Sequence, residues 1–276
     1  MNATRHARPS RRRPFAAAFI MALITVAAGV PEPARAQEAV PTRLVVRVLA
    51  NDAKIIGSGV GGVHVVVRHA ATGEVLAQGA QSGGTGDTGL IMNPRERGAT
   101  VFDTEGAAAF RAELDLTGPT PVIIEYTGPL GTPHAAQRGS TSLLMLPGEH
   151  LDGEGVVVSL HGFTVELLSP VPVPFVAAPG ARVEVRAKVT MLCGCPTEPG
   201  GLWDSDAYDI RAQWVRNGAV LGEAALAWAG SVSEYTGTLT APGDAGPVTL
   251  RVISVDRTRA NTGMVEAQGL VLSLIH

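Results

Sequence analysis

What most constrains this chain is a period of two. Val183, Val185, Ala187 and Val189 fall on one parity, and Arg182, Glu184, Arg186 and Lys188 on the other. Phe110, Ala112, Leu114 and Leu116 alternate in the same way with Arg111, Glu113 and Asp115. Successive side chains of a strand point to opposite faces, so this spacing describes ribbons with one buried face and one wet face. Strand-like runs also cover residues 44–49, 63–69, 74–78, 121–126, 142–146 and 155–160. Others follow at 208–214, 221–228, 233–239, 248–255 and 264–274. Glycine and proline punctuate them, and no amphipathic helix pattern stands out. Short strands so separated predict an all-β chain of two tandem β-sandwich domains, each of about seven strands. The boundary falls near residue 162, giving a first domain over 37–161 and a second over 162–276. Pro170, Pro172 and Pro174 mark a link or edge segment just after it.

The N-terminus has a different character. Arg5, Arg8, Arg11, Arg12 and Arg13 precede an apolar run over residues 15–30, and Ala34 and Ala36 frame a small-residue cleavage site. This order predicts a signal peptide over residues 1–36, cleaved after Ala36, and a periplasmic or extracellular protein. An uncleaved anchor is the alternative. Arg12 and Arg13 also resemble a twin-arginine export signal, with ordinary secretion as the other route. Loss of residues 1–36 removes six arginines and one glutamate. The remainder then carries 16 basic and 24 acidic residues, a net charge near −8. An acidic chain lacks the basic face that nucleic acid and anionic membranes select. No later run is long and apolar enough to span a bilayer.

Two stretches resemble known families. Gly62-Val-His-Val-Val-Val-Arg-His-Ala-Ala-Thr-Gly-Glu-Val-Leu-Ala77 resembles the opening hairpin of prealbumin-like domains, notably the carboxypeptidase regulatory-like group. That resemblance covers residues 43–161. It implies a β-sandwich serving as an accessory, adhesive or carbohydrate-associated module. The second half resembles a bacterial immunoglobulin-like sandwich, with Trp214 in the place of the buried strand-C tryptophan but without the usual inter-sheet cysteine pair. Its ending, residues 251–263, looks like the last strands of periplasmic immunoglobulin-like domains, some linked to copper resistance.

Both cysteines sit in one loop, Met191-Leu-Cys-Gly-Cys-Pro196. Continued strand parity would put Met191, Cys193 and Cys195 on the same inward face. Three readings follow. One is structural: a local disulfide or a pair of small buried thiols fixing the loop. A second is a soft sulfur site for Cu(I), or for zinc with further ligands. A third is a strained, redox-active bridge, since Cα atoms two apart in a regular strand lie roughly 6.6 Å apart. Asp204, Asp206 and Asp209 offer oxygens to calcium or to a partner, against the reading of a solvated acidic turn. The glycines of residues 82–89 suggest a phosphate cradle, but no lysine or helix pattern follows at P-loop spacing. A flexible surface loop is the reading preferred there, with Arg95 and Arg97 able to meet an acidic partner. His64 and His69 have opposite strand parity, and no histidine pair has metal-motif spacing. There is no Gly-x-Ser-x-Gly elbow and no supported catalytic triad. The expectation is a non-catalytic exported module without a cofactor, binding a protein, surface or carbohydrate. The alternative is a metal-handling protein using Met191, Cys193 and Cys195.

Overall fold

The period of two becomes strands. The computed structural model describes residues 37–171 and 173–272, so the leader expected over residues 1–36 lies outside the described residues. The first half holds β1 (Val40–Ala50), β2 (Val63–His69), β3 (Val75–Gln81), β4 (Phe110–Leu116), β5 (Thr120–Gly128), β6 (Gln137–Met145) and β7 (Leu151–Leu160). They form a sheet in the order β4-β1-β7 and a second in the order β3-β2-β5-β6. The second half holds β8 (Phe163–Ser169), β9 (Phe175–Ala177), β10 (Arg182–Met191), β11 (Asp209–Arg216) and β12 (Ala219–Ala225). It continues with β13 (Ala227–Trp228), β14 (Glu234–Thr240), β15 (Gly246–Asp256) and β16 (Asn261–Val271). These make the sheets β13-β14-β10-β8 and β12-β11-β15-β16-β9.

The fold is all-β, with β1–β7 forming one pair of sheets and β8–β16 another. Pairing is antiparallel except for β1 with β7 and β9 with β16. The run expected as one strand over 221–228 divides in two. Leu226 is buried between β12 and β13, which belong to opposite sheets, so the chain crosses the sandwich there. Trp214 on β11 is fully buried and packs at 5.6 Å against the ring of Phe175. Phe110, Leu114 and Leu116 are buried while Arg111, Glu113 and Asp115 are exposed, as their alternation requires.

The two sandwiches share one continuous hydrophobic cluster, running from Leu44 and Val65 through Phe163 and Met191 to Trp214. Their polar joint is built from two turns. The turn after β1 carries Asn51 and Asp52, the latter with φ +56°. The β15–β16 hairpin brings Arg259 and Asn261 against it. Asn51 Nδ2 donates to Arg259 O at 2.7 Å, and Asn261 Nδ2 donates to Asn51 O at 3.3 Å. Asn261 Oδ1 accepts from Gly162 N at 3.0 Å, and its side chain is wholly buried. Arg259 pairs with Asp52 at 2.9 Å, and Trp203 Nε1 donates to Asp52 O at 3.0 Å. Asp256 holds the hairpin turn by accepting from Thr258 N and Arg259 N. Buried polar groups that are all paired fix a geometry, because a lost partner leaves a desolvated group unsatisfied.

Asn261→Ala removes the partners of Gly162 N and Asn51 O together. The expected cost is about 2 kcal/mol, the penalty of orphaning the buried Gly162 N together with the loss of a bond to the half-buried Asn51 O. Urea unfolding monitored by tryptophan fluorescence checks it: the midpoint should fall with little change in slope.

Candidate functional site

The cysteine loop is not an extension of β10. The strand ends at Met191, and the chain reverses over Leu192 and Cys193. Gly194 N donates to Met191 O at 2.8 Å, Met191 N donates to Cys195 O at 3.1 Å, and Thr190 bridges Pro196. Gly194 is responsible. Its φ is +76°, in the left-handed region, and an added Cβ would lie 2.8 Å from Cγ1 of Val60 in the first sandwich. Only glycine serves a backbone so turned and so closely approached. The reversal brings the Cα atoms of Cys193 and Cys195 to 5.3 Å, and the two sulfurs are bonded to each other. Both residues are buried, as are Met191 and Leu192. The ribbon expected to carry Met191, Cys193 and Cys195 in one inward stripe is therefore corrected to a tight disulfide-closed turn seated against Val60. Bonded sulfurs offer no thiolate, the form in which cysteine ligates copper or zinc.

The segment after the turn is tied down equally. Thr197 is wholly buried. Its hydroxyl donates to Val189 O at 2.6 Å and shares a 2.8 Å hydrogen bond with the Tyr235 hydroxyl. The acidic residues that follow do not converge. Asp204 Oδ1 accepts from Gly200 N at 2.8 Å and Asp206 N at 3.0 Å, capping the short 3₁₀ turn Ser205–Ala207. Those two backbone donors hold its carboxyl below the usual carboxylate range. Asp209 is committed to Arg211 and Arg257, and Asp206 is exposed. Asp204 therefore serves a turn and Asp209 two arginines, while the exposed Asp206 carboxylate makes neither kind of contact. Among the described residues no three His, Cys, Asp or Glu side chains gather as a metal site would require. His69 accepts turn amides, His150 accepts from Arg43 N, and His134 contacts Val165 O across the joint.

A site emerges elsewhere, from the glycine-rich segment expected to be a flexible loop. It is folded over the outer face of the β4-β1-β7 sheet. Asp87 caps the five-residue helix α1 (Thr88–Met92), accepting from Leu90 N at 2.8 Å. Ile91, Val101, Phe102, Ala107 and Ala108 pack with Leu49 and Ile55 as a separate small core. Two charged side chains of opposite sign clamp it. Arg47 on β1 is fully buried; it donates to Phe102 O at 3.0 Å and Gly153 O at 3.1 Å and pairs with Asp103. Glu154 on β7 accepts from three successive amides, Val101 N at 2.8 Å, Phe102 N at 3.0 Å and Asp103 N at 3.1 Å. Gln81 adds a further brace, exchanging hydrogen bonds with Val48 N and O.

This clamp creates an open groove of about 490 Å³. Leu49, Met92, Phe102 and Val157 give it an apolar lining, and Asn51, Asp52 and Ser159 a polar end beside the joint. Arg95 stands on its wall, its guanidinium carbon 5.2 Å from the centre of the Phe102 ring. A cation over an aromatic face is held there by the ring quadrupole. The nine ion pairs of the described residues leave Arg95 out, while Asp52 is already neutralised by Arg259. Sequence reading picked out Arg95 but missed Arg47, Glu154 and the groove. The signal available was Asp87 three places before Leu90, Ile91 and Met92, a capped apolar turn.

No known protein-family model matches the chain, and no curated protein matches it. Among solved structures it is similar to an engineered protein at 15% identity with a TM-score of 0.27. That match covers 46% of this chain, which spans only 24% of the engineered protein. It is also similar to the Dpr2 Ig1-Ig2 chain crystallised with DIP-Theta Ig1-Ig3, at 12% identity and TM-score 0.28, covering 85% of this chain and all of that one. The titin domains z1z2 in complex with telethonin match at 14% identity and TM-score 0.24, over 86% of this chain and 98% of that one. Likeness of that degree carries no weight for function, and the fold rests on the strand pairing above.

Tyr208 lies behind the joint, with its ring centre 4.9 Å from that of Phe163. Burial pushes its phenol well above the ordinary value, and the Asp256 and Asp52 carboxylates push the same way. A raised folded-state value favours the protonated form. Its contribution to stability is full below the ordinary phenol value of about 10 and is lost as pH climbs beyond it. Alkaline unfolding should therefore steepen above about pH 10, and Tyr208→Phe should flatten that fall; urea midpoints measured across the alkaline range check it.

Proposed function

We propose that this protein is an exported, non-catalytic binding module that receives an extended segment of a partner protein in the groove between α1, Phe102 and β7. The observation that carries this reading is Arg95, a cation outside the ion pairs of the described residues, on the wall of a groove with an apolar and a polar part in an otherwise acidic chain. A partner segment that suits it places a large apolar side chain on Leu49, Met92 and Phe102 and a carboxylate at Arg95. Charge complementarity at such a rim selects among partners and speeds encounter. β7 adds to this, because it is the last strand of its sheet and pairs only with β1 among the described residues. A terminal strand has a free row of backbone donors and acceptors for an extended segment. The groove is held by Arg47, Glu154 and Gln81 rather than by its occupant, so little ordering entropy opposes binding. Export is supported by the arginines before residue 15, the apolar run after it, and the alanines at 34 and 36. The net acidity of the remainder disfavours nucleic acid as the partner.

A displayed library of random ten-residue peptides, selected on the immobilised protein, tests this reading. Enriched peptides should pair a large apolar residue with Asp or Glu within two or three positions. Arg95→Glu should weaken them by about tenfold or more, the scale of one reversed charge contact. Absence of enrichment, or binding indifferent to Arg95→Glu, contradicts it.

A further inference from the structure

A second constellation lies on the other sheet of the first sandwich, β3-β2-β5-β6, independent of the groove. Its outer face has a regular register. In one row His64 on β2 stands opposite Thr127 on β5, which stands opposite Arg138 on β6. In the next row Val66 stands opposite Glu125, which stands opposite Ser140. Alternation turns all six side chains outward, while Val65, Val67, Ile124 and Tyr126 fill the core beneath. These residues line an open recess of about 370 Å³.

The charges within the recess are unequally spent. Glu125 is drawn to one end by Arg68, at 2.9 Å from Nε, and Arg68 also donates to Gly73 O. Arg138 and His64 enter no ion pair or hydrogen bond of the described residues. The neighbouring positions on β3, Gln78 and Ala80, bring no charge. One end of the face is therefore cationic and donor-rich, with the Thr127 hydroxyl between an imidazole and a guanidinium. Neighbouring strands lie about 4.8 Å apart. His64 and Arg138 thus flank Thr127 on strands roughly 10 Å apart. The other end presents a carboxylate and the Ser140 hydroxyl.

We infer that this face binds a hydroxylated carboxylate, the chemistry of a uronic acid residue. Arg138 and His64 take its carboxylate: guanidinium matches a carboxylate in two parallel hydrogen bonds, and imidazole donates an N–H in either protonation state. Glu125 and Ser140 take the ring hydroxyls, for which a carboxylate is a strong acceptor. A simple anion gains nothing from Glu125, which Arg68 already pairs, and a neutral sugar forgoes the charge-matched pair of hydrogen bonds with Arg138. The ligand that uses both ends must carry both groups.

Titration of the ¹⁵N-labelled protein with sodium glucuronate, sodium acetate and glucose, each alone, tests the assignment. Glucuronate should shift the amides around residues 64, 127 and 138 saturably. Acetate should bind at least about fivefold more weakly, and glucose should leave these amides in place; the loss of about one hydrogen bond to a charged group sets that scale. Arg138→Gln should weaken glucuronate about tenfold, while Arg111→Gln on the opposite sheet should not change it. Both arginines are exposed, so neither variant removes a buried group. No saturable shift, or glucuronate binding untouched by Arg138→Gln, overturns the site. Acetate binding as tightly as glucuronate overturns the class of ligand.

Discussion

The exchange of hydrogen bonds between Asn51 and Asn261 is what the rest of the structure depends on. It joins a turn at the end of β1 to the tip of the β15–β16 hairpin, more than two hundred residues on in sequence. An amide side chain has donors and an acceptor together, so one buried asparagine satisfies Gly162 N and Asn51 O at once. Around it Asp52 gathers Arg259 and Trp203. Below it the apolar cluster passes without a break from one sandwich to the other. Tandem sandwiches linked by a short connection move relative to each other unless their interface is large and apolar. Here the interface is apolar within and hydrogen-bonded at its edge through Asn51, Asp52, Arg259 and Asn261.

The cysteine turn belongs to this joint. Cys193 and Cys195 close a reversal whose Gly194 sits on Val60, and the same loop delivers Trp203 to Asp52. The most unusual stretch of the chain thus has a mechanical role: it shapes a buttress between sandwiches. On the far side of the Asn51–Asp52 turn lies the groove, so the same residues that fix the joint also form the groove's end wall. Joint and groove share one rigid support, which is what a preorganised binding surface requires.

Strand positions were legible in the sequence because alternation is local: each β-ribbon states its inner face in its own residues, as β4 and β10 do. Arg47 was not, because its environment is made by a segment more than fifty residues away. Placed on the outward parity of β1, it reads as solvated until residues 82–109 fold over it and bury it. The helix α1 was passed over because five residues give too little periodicity, although its cap at Asp87 was present. The extension of β10 through Cys195 failed at a single residue, since a strand pattern says nothing about a glycine at positive φ. Likewise Asp204, Asp206 and Asp209 are close in sequence, yet a 3₁₀ turn and two arginines direct them apart. Long-range burial and pairing are set by tertiary contacts, and no local pattern encodes them.

The central claim is that the two sandwiches behave as one body through the Asn51–Asn261 joint. Differential scanning calorimetry of the chain from Gln37 onward tests it most directly. A single transition whose calorimetric enthalpy equals its van't Hoff enthalpy is the result this joint predicts. Two resolved transitions, or a calorimetric enthalpy well above the van't Hoff value, would show sandwiches that unfold separately and would contradict it.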